Sequence, residues 1–242
     1  MSTELLHKTL NEISLETLVE WYNVTQYNLQ TVQNKLENAN DSVWLQVSQN
    51  ALDYDFIRDF KNKLDWGWIS ANQPLNEDFI NDFQDFVGWE AVSQYQTLSE
   101  EFIRDFQDKV NRRWISMKQT LSEDFISEFQ DRVAWIWISA HQRLSENFIE
   151  EFKDKIHWVW LCISQNLSEH LMRKFSDRIN WEAVSQYQTL SEEFIRDFQD
   201  KADWKKSTSH QQLYEKLLIE FKNKIEWYMI TEKPIPEPME VV

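Results

Sequence analysis

Apolar and polar positions along this chain repeat with a period of 23 residues. A tryptophan marks the same place in most repeats, and successive markers lie 23 residues apart or a multiple of it, with one residue deleted after the second marker and Arg112 replacing one tryptophan. A fixed period of this size is typical of proteins built from stacked supersecondary elements. The markers are Trp21, Trp44, Trp66, Trp89, Trp135, Trp158, Trp181, Trp204 and Trp227.

Each repeat carries the pattern of two short amphipathic helices. Phe102, Ile103, Phe106 and Val110 have the spacing of one helical face, and Ser99 precedes them as an N-cap, which predicts a helix A of roughly eleven residues. The segment that begins at each tryptophan places Trp135, Ile138, Ser139 and Gln142, or their equivalents, at offsets 0, 3, 4 and 7 on one helical face. This spacing predicts a helix B of about two turns. The other predicted N-caps are Asp53, Asn76, Ser122, Ser145, Ser168 and Ser191 for helix A, and Asp65, Asn111, Asn180 and Asp203 for helix B.

Helices this short are marginal in isolation, so their stability has to come from stacking on neighbouring repeats. The predicted fold is therefore all-α: an α-solenoid of nine 23-residue helix-turn-helix units plus a partial tenth, with capping ends. We expect an N-terminal capping region at 1–20, the tandem-repeat solenoid at 21–230 and a flexible proline-rich tail at 231–242. The identical stretches 89–109 and 181–201 indicate interchangeable modules, none of which is expected to hold a unique catalytic centre.

Composition narrows the classes of function. The formal net charge of −16 argues against a phosphate-binding surface, and two glycines are too few for glycine-lined nucleotide loops. Cys162, the single cysteine, cannot form an intrachain disulfide, and the chain lacks an apolar run of the roughly 18 residues that cross a bilayer. We expect a protein of the cytoplasm or another intracellular setting, with no membrane association.

The combined motif L-S-E-x-F-I-x-x-F-x-D-K-V-x-W-x-x-I-S-x-x-Q resembles the tandem short-repeat proteins that giant DNA viruses of amoebae, some large phages and some bacteria encode in multiple copies. The resemblance covers about residues 44–231. It implies a repeat scaffold in a viral or mobile-element setting, located in the host cell or the virion, and it carries over no activity, cofactor or catalytic residue. Arg112, Cys162 and the repeat that begins at Trp204 depart from the motif.

Position two of helix B, counted from tryptophan as zero, is the first candidate site. It holds Trp68, Trp114, Trp137 and Trp160 but alanine in the two identical repeats. A closely packed core position would not tolerate exchange between tryptophan and alanine, because losing a buried tryptophan costs about 3–5 kcal/mol. This favours a surface or groove, used either for partner contact or for packing between B helices. The candidate partner-binding residues are Trp68, Trp114, Trp137, Trp160, Tyr95, Tyr187 and His141.

Rows of acidic residues on helix A form the second candidate site. They are typical of a solvated face, but regular carboxylates could also imitate a nucleic-acid backbone. Lysine or arginine follows the last acid in most repeats and weakens the negative electrostatic potential of this face. The candidate residues are Glu101, Asp105, Glu128, Glu151 and Asp197.

Two further polar rows have structural interpretations. We expect the aspartates near the end of helix A to accept hydrogen bonds from a turn or an indole, and the glutamines at position seven to form a ladder between repeats. The five histidines lie at unrelated positions of the repeat and form no His-Asp-Ser or His-Cys arrangement in the sequence. We therefore find no enzyme signature, no metal site and no cofactor site. The rows are Asp85, Asp108, Asp131, Asp154, Asp177 and Asp200, and Gln73, Gln96, Gln119, Gln142, Gln165 and Gln188.

The leading functional hypothesis is a non-catalytic scaffold that binds a partner protein through the variable helix B surface. One alternative is an acidic nucleic-acid mimic that inhibits a nucleic-acid-binding host or defence protein, with no direct nucleic-acid binding of its own. Another is self-association into a structural layer. The partner's identity does not follow from the sequence.

Overall fold

The computed structural model describes residues 41–210 and 215–224, and all regular structure within them is helical. After α1 (Asp41–Ser48), six-residue A helices alternate with seven-residue B helices. The predicted capping region and proline-rich tail lie outside the described residues. The A helices are α2 (Tyr54–Asp59), α4 (Glu77–Asp82), α6 (Glu100–Asp105), α8 (Glu123–Glu128), α10 (Glu146–Glu151), α12 (Glu169–Lys174), α14 (Glu192–Asp197) and α16 (Glu215–Glu220). The B helices are α3 (Trp66–Asn72), α5 (Trp89–Tyr95), α7 (Arg112–Lys118), α9 (Trp135–His141), α11 (Trp158–Ser164), α13 (Trp181–Tyr187) and α15 (Trp204–His210).

The chain divides into two compact units, Met1–Gln119 and Thr120–Val242. In the first unit, α1, α3, α5 and α7 pack against one another in series. In the second unit, α9, α11, α13 and α15 do the same. Contacts between consecutive repeats are the defining property of an α-solenoid, so each unit has the helical-repeat architecture that the period predicts.

The predicted N-caps are confirmed. The Ser99 hydroxyl accepts a hydrogen bond from the Phe102 N–H, and the equivalent residue does the same in each described A helix from α2 to α14. At the B helices, Asp65, Asn111, Asn180 and Asp203 cap as expected. The His157 side chain also accepts from the Trp160 N–H, which the sequence analysis did not anticipate.

The prediction of an eleven-residue helix A is wrong, because this helix ends after six residues. Its C-cap phenylalanine, Phe106 in α6, has φ −107° and ψ 25°, so the helical ladder stops there. A separate turn follows, closed by the Lys109 and Val110 N–H groups on the Phe106 carbonyl. The apolar spacing continues through this turn, which is why the sequence pattern overestimates the length of the helix.

Most marker tryptophans of the described repeats, each at the start of a helix B, hydrogen-bond to the turn that follows the preceding helix A. The Trp89 indole N–H donates to the Gln84 carbonyl at 3.0 Å, satisfying a carbonyl just beyond the end of α4. Its ring lies 5.0 Å from Phe106 and 6.3 Å from Phe102, centroid to centroid. Trp44 is buried, whereas the marker indoles of the later described repeats are half-buried. The same indole-to-carbonyl bond occurs at Trp66, Trp135, Trp158, Trp181 and Trp204.

The glutamine ladder is confirmed, and the partners of each glutamine are main-chain groups of the preceding repeat. Gln96 donates from Nε2 to the carbonyls of Ser70 and Gln73, both at 2.9 Å, and accepts at Oε1 from the Leu75 N–H at 3.0 Å. One buried amide thus satisfies three main-chain groups that lie outside any helical ladder or at its end. Equivalent bonds are made by Gln73, Gln119, Gln142, Gln165 and Gln188.

A second row of buried polar groups, the serines at position four, joins consecutive repeats. Ser93 donates to the Trp89 carbonyl at 2.6 Å and accepts from the Asn111 N–H of the next repeat at 2.8 Å. The hydroxyl therefore fixes the start of each B helix against the B helix before it. Ser48, Ser70 and Ser139 make the same pair of bonds.

Candidate partner-binding surface

The outward side of α9 and α11 in the second compact unit is largely apolar and carries no Asp, Glu, Lys or Arg. It consists of positions one, two, five and six of the two B helices, and we call it the α9–α11 face. Each of these side chains is half-buried or exposed, whereas the residues at positions three and four are buried. Its members are Ile136, Trp137, Ala140, His141, Val159, Trp160, Ile163 and Ser164.

Large apolar side chains on this face remain in contact with solvent. Ile136 is 40% exposed, Val159 39% and Trp160 39%. The Trp137 ring lies 5.7 Å from the His141 ring, one turn further along α9, at an angle of 23°. Because α9 packs directly against α11, these groups belong to two adjacent helices.

Position two is accessible to solvent where it holds tryptophan, whereas Ala183 at the same position of α13 is buried. Trp68, Trp114 and Trp137 are half-buried and Trp160 is exposed. The four tryptophans are not equivalent, however, because Trp114 donates its indole N–H to Glu90 at 3.3 Å and lies against the Arg113 guanidinium.

The two candidate tyrosines occupy the same position in the identical repeats. Tyr95 is 58% exposed in α5, and Tyr187 is 51% exposed in α13. Tyr95 also lines an open groove of about 560 Å³ in the first unit, together with Tyr54, Pro74 and Thr97. Sequence reasoning found these tyrosines but missed Ile136 and Val159, although the motifs W-I-W and W-V-W place an apolar residue at the outward position one.

Part of the acidic rows is used for contacts between repeats. The Glu77 carboxylate accepts from the Ser99 main-chain N–H at 2.5 Å and from its hydroxyl at 3.1 Å, and Glu123 and Glu169 hold Ser145 and Ser191 in the same way. Among the candidate residues, Glu101, Asp105, Glu128 and Glu151 are exposed. Asp197 is exposed as well and pairs with Arg173 at 2.5 Å.

The expectation that the repeated aspartates accept bonds from a turn or an indole is wrong. Asp131 is exposed and pairs with Lys155 of the next repeat at 2.8 Å, while the indole donates to a main-chain carbonyl instead. The Lys155 ammonium also lies 6.0 Å from the centroid of the Trp135 ring. Exposed pairs of this kind contribute little to stability, about 0–1 kcal/mol each. The others are Asp85 with Lys109, Asp154 with Arg178, Asp177 with Lys201, and Asp200 with Lys224.

The described residues offer little reactive chemistry. Burial raises the pKa of the Cys162 thiol from 9.0 to about 11, although main-chain hydrogen bonds, including one from Asn180, oppose this shift. A thiol with a raised pKa is a poor nucleophile at neutral pH. Within residues 41–210 and 215–224, no group of three or more His, Cys, Asp and Glu side chains could hold a metal ion.

In the same ranges, no helix is long and apolar enough to span a bilayer. No family model, no curated protein and no solved structure matches this chain.

Proposed function

We propose that this chain is a non-catalytic repeat scaffold that binds a partner protein through the α9–α11 face. The observation that carries the proposal is the exposure of Ile136, Val159 and Trp160 on adjacent helices, on a face without Asp, Glu, Lys or Arg. Contiguous exposed apolar surface is uncommon outside interaction sites, and aromatic anchors dominate the energetics of interfaces. The viral or mobile-element setting is a proposal that derives only from the sequence resemblance.

The charge pattern favours this function over the acidic mimic. A mimic needs rows of carboxylates free to meet a basic protein. Glu101 and Asp105 are exposed. However, Asp131, Asp154 and Asp177 each pair with a cation of the next repeat. Glu77, Glu123 and Glu169 in turn hold main-chain and hydroxyl groups. The alternative of a self-assembled layer would use the same apolar face and is distinguished by the experiment below.

The test compares capture by the wild-type chain with capture by a Trp137→Ala, Trp160→Ala variant. Alanine already occupies position two in α5 and α13, so the variant should keep its helical circular dichroism. Leu45→Ala serves as a control, because Leu45 is 50% exposed on α1 of the other compact unit. A partner identified by quantitative mass spectrometry is then purified and its dissociation constant measured.

We expect the tryptophan variant to bind about 30-fold more weakly or worse, as when a hot spot of about 2 kcal/mol is removed, and the Leu45 variant to bind like wild type. Binding of the purified partner within threefold of wild type would refute the proposal. If the captured protein is the chain itself and its mass in sedimentation rises with concentration, the self-assembled layer replaces the scaffold.

A further inference from the structure

A groove between α4 and α6 of the first compact unit has an acidic and aromatic lining. Its volume is about 380 Å³. Its lining includes the rings of Phe102 and Phe106 and the exposed acids Asp78, Glu101 and Asp105. Among the described residues, no hydrogen bond or ion pair engages the carboxylates of these three acids. The remaining lining residues are Glu77, Asn81 and Ser99.

An identical copy of the α6 segment shows what such a surface binds. Residues 181–201 repeat residues 89–109 without a change, so Phe194, Phe198 and Asp197 correspond to Phe102, Phe106 and Asp105. In that copy, Arg173 of the preceding repeat reaches across to Asp197, with 2.5 Å between Nη1 and Oδ2. Its guanidinium lies 5.1 Å from the centroid of Phe194 and 5.6 Å from that of Phe198.

The arginine is missing at the first copy. Asn81 occupies the position of Arg173, and Asp78 occupies that of His170, so the groove lacks its internal cation and carries an extra carboxylate. The Phe102 side chain is 7% exposed, whereas the covered Phe194 is 0% exposed. Arg58 provides a second internal example, since it lies 5.7 Å from the Phe79 centroid and 3.7 Å from the Asp82 carboxylate.

We propose that the α4–α6 groove binds an arginine side chain of a partner protein, in the place that Arg173 fills within the chain at the second copy. A guanidinium fits because it can form a fork with a carboxylate while its flat face lies on an aromatic ring. A lysine ammonium is a compact, strongly hydrated charge and would use only the acids. The site lies on A helices and does not depend on the α9–α11 face.

The experiment uses the full chain labelled with ¹⁵N and three peptides that differ at one residue. The peptides are acetyl-Gly-Ala-X-Ala-Gly-amide with X as arginine, as its neutral isostere citrulline, or as lysine. Chemical shifts are followed at the amides of Asn81 and Asp105. The variants are Asn81→Arg, which supplies the missing cation internally, and Asp105→Asn, which removes the carboxylate. Asp197→Asn is the matched control in the identical segment.

We expect the arginine peptide to shift the groove amides with about tenfold higher affinity than the citrulline peptide, since charge-assisted hydrogen bonds are roughly twice as strong as neutral ones. Asn81→Arg and Asp105→Asn should abolish this response, and Asp197→Asn should leave it unchanged. The proposal would be overturned if the citrulline peptide or the lysine peptide bound as tightly as the arginine peptide. It would also be overturned if Asn81→Arg responded as strongly as wild type, or if no peptide shifted the groove amides. The Trp137→Ala, Trp160→Ala variant should respond like wild type, so failure here is separable from failure of the proposed scaffold function.

Discussion

Replacing Gln96 with alanine should destabilise the first compact unit severely. The buried Gln96 amide makes three hydrogen bonds at 2.9–3.0 Å to the main chain of the preceding repeat. A hydrogen bond contributes about 0.5–1.5 kcal/mol to stability, so three lost bonds correspond to about 3 kcal/mol. The Leu75 N–H and the Ser70 and Gln73 carbonyls would lose this partner in a region where water has little access. The expected loss of stability is therefore at the upper end of the range that single substitutions usually cause.

The assay is urea unfolding followed by circular dichroism and tryptophan fluorescence, whose transitions must coincide before a free energy of unfolding is extracted. Gln107→Ala is the matched control, because Gln107 belongs to the same repeat but is exposed, and we expect it to change stability by less than about 0.5 kcal/mol. If Gln96→Ala lowers the free energy of unfolding by less than about 1 kcal/mol, or by no more than the control does, the three Gln96 hydrogen bonds do not stabilise the unit as expected.

Two other sites give predictions that need no partner. The Cys162 thiol, with its pKa raised to about 11 by burial, should resist a disulfide reagent at pH 8 in the folded protein and react at once in denaturant. Because this pKa lies above the ordinary value of 9.0, its contribution to stability is complete below pH 9 and is lost as the pH rises through 11; rapid labelling of the native chain would contradict this. Ser207 is buried where other repeats place Ile, Val or Leu, and its hydroxyl has no hydrogen-bond partner in the described ranges. Ser207→Val should therefore increase the free energy of unfolding by about 1 kcal/mol and raise the melting temperature. A lower melting temperature would show that the hydroxyl has a hydrogen-bond partner.

The architecture was predictable from the sequence because it depends on local signals. The period is visible when segments of the sequence are compared. Each N-cap, such as Ser99, and each helical face, such as that of Phe102 and Ile103, is recognised from residues close in sequence. The length of helix A was not predictable in the same way. Apolar spacing persists through Val110, and only the backbone angles of Phe106 show that the helix has already ended.

The candidate sites were less predictable because they depend on contacts between repeats. The exchange of tryptophan for alanine at position two suggested a surface or groove, and the tryptophans there are half-buried or exposed. That Trp114 has Glu90 as a polar neighbour follows only from the coordinates. The repeated aspartates were misassigned because a partner 24 residues away, such as Lys155 for Asp131, is invisible to local patterns. The groove beside Asn81 likewise becomes visible only when Arg173 is seen to occupy its counterpart.

Hydrogen exchange can show whether each repeat satisfies main-chain groups of the repeat before it. The N–H groups of Leu75, Leu98, Leu144 and Leu167 lie outside the helices and donate to the glutamine side chain of the following repeat. We predict that these amides exchange as slowly as helical amides of the same repeat, such as Ile80, and that Gln96→Ala releases Leu75. Exchange at the rate of an open loop in the wild-type protein would contradict the account.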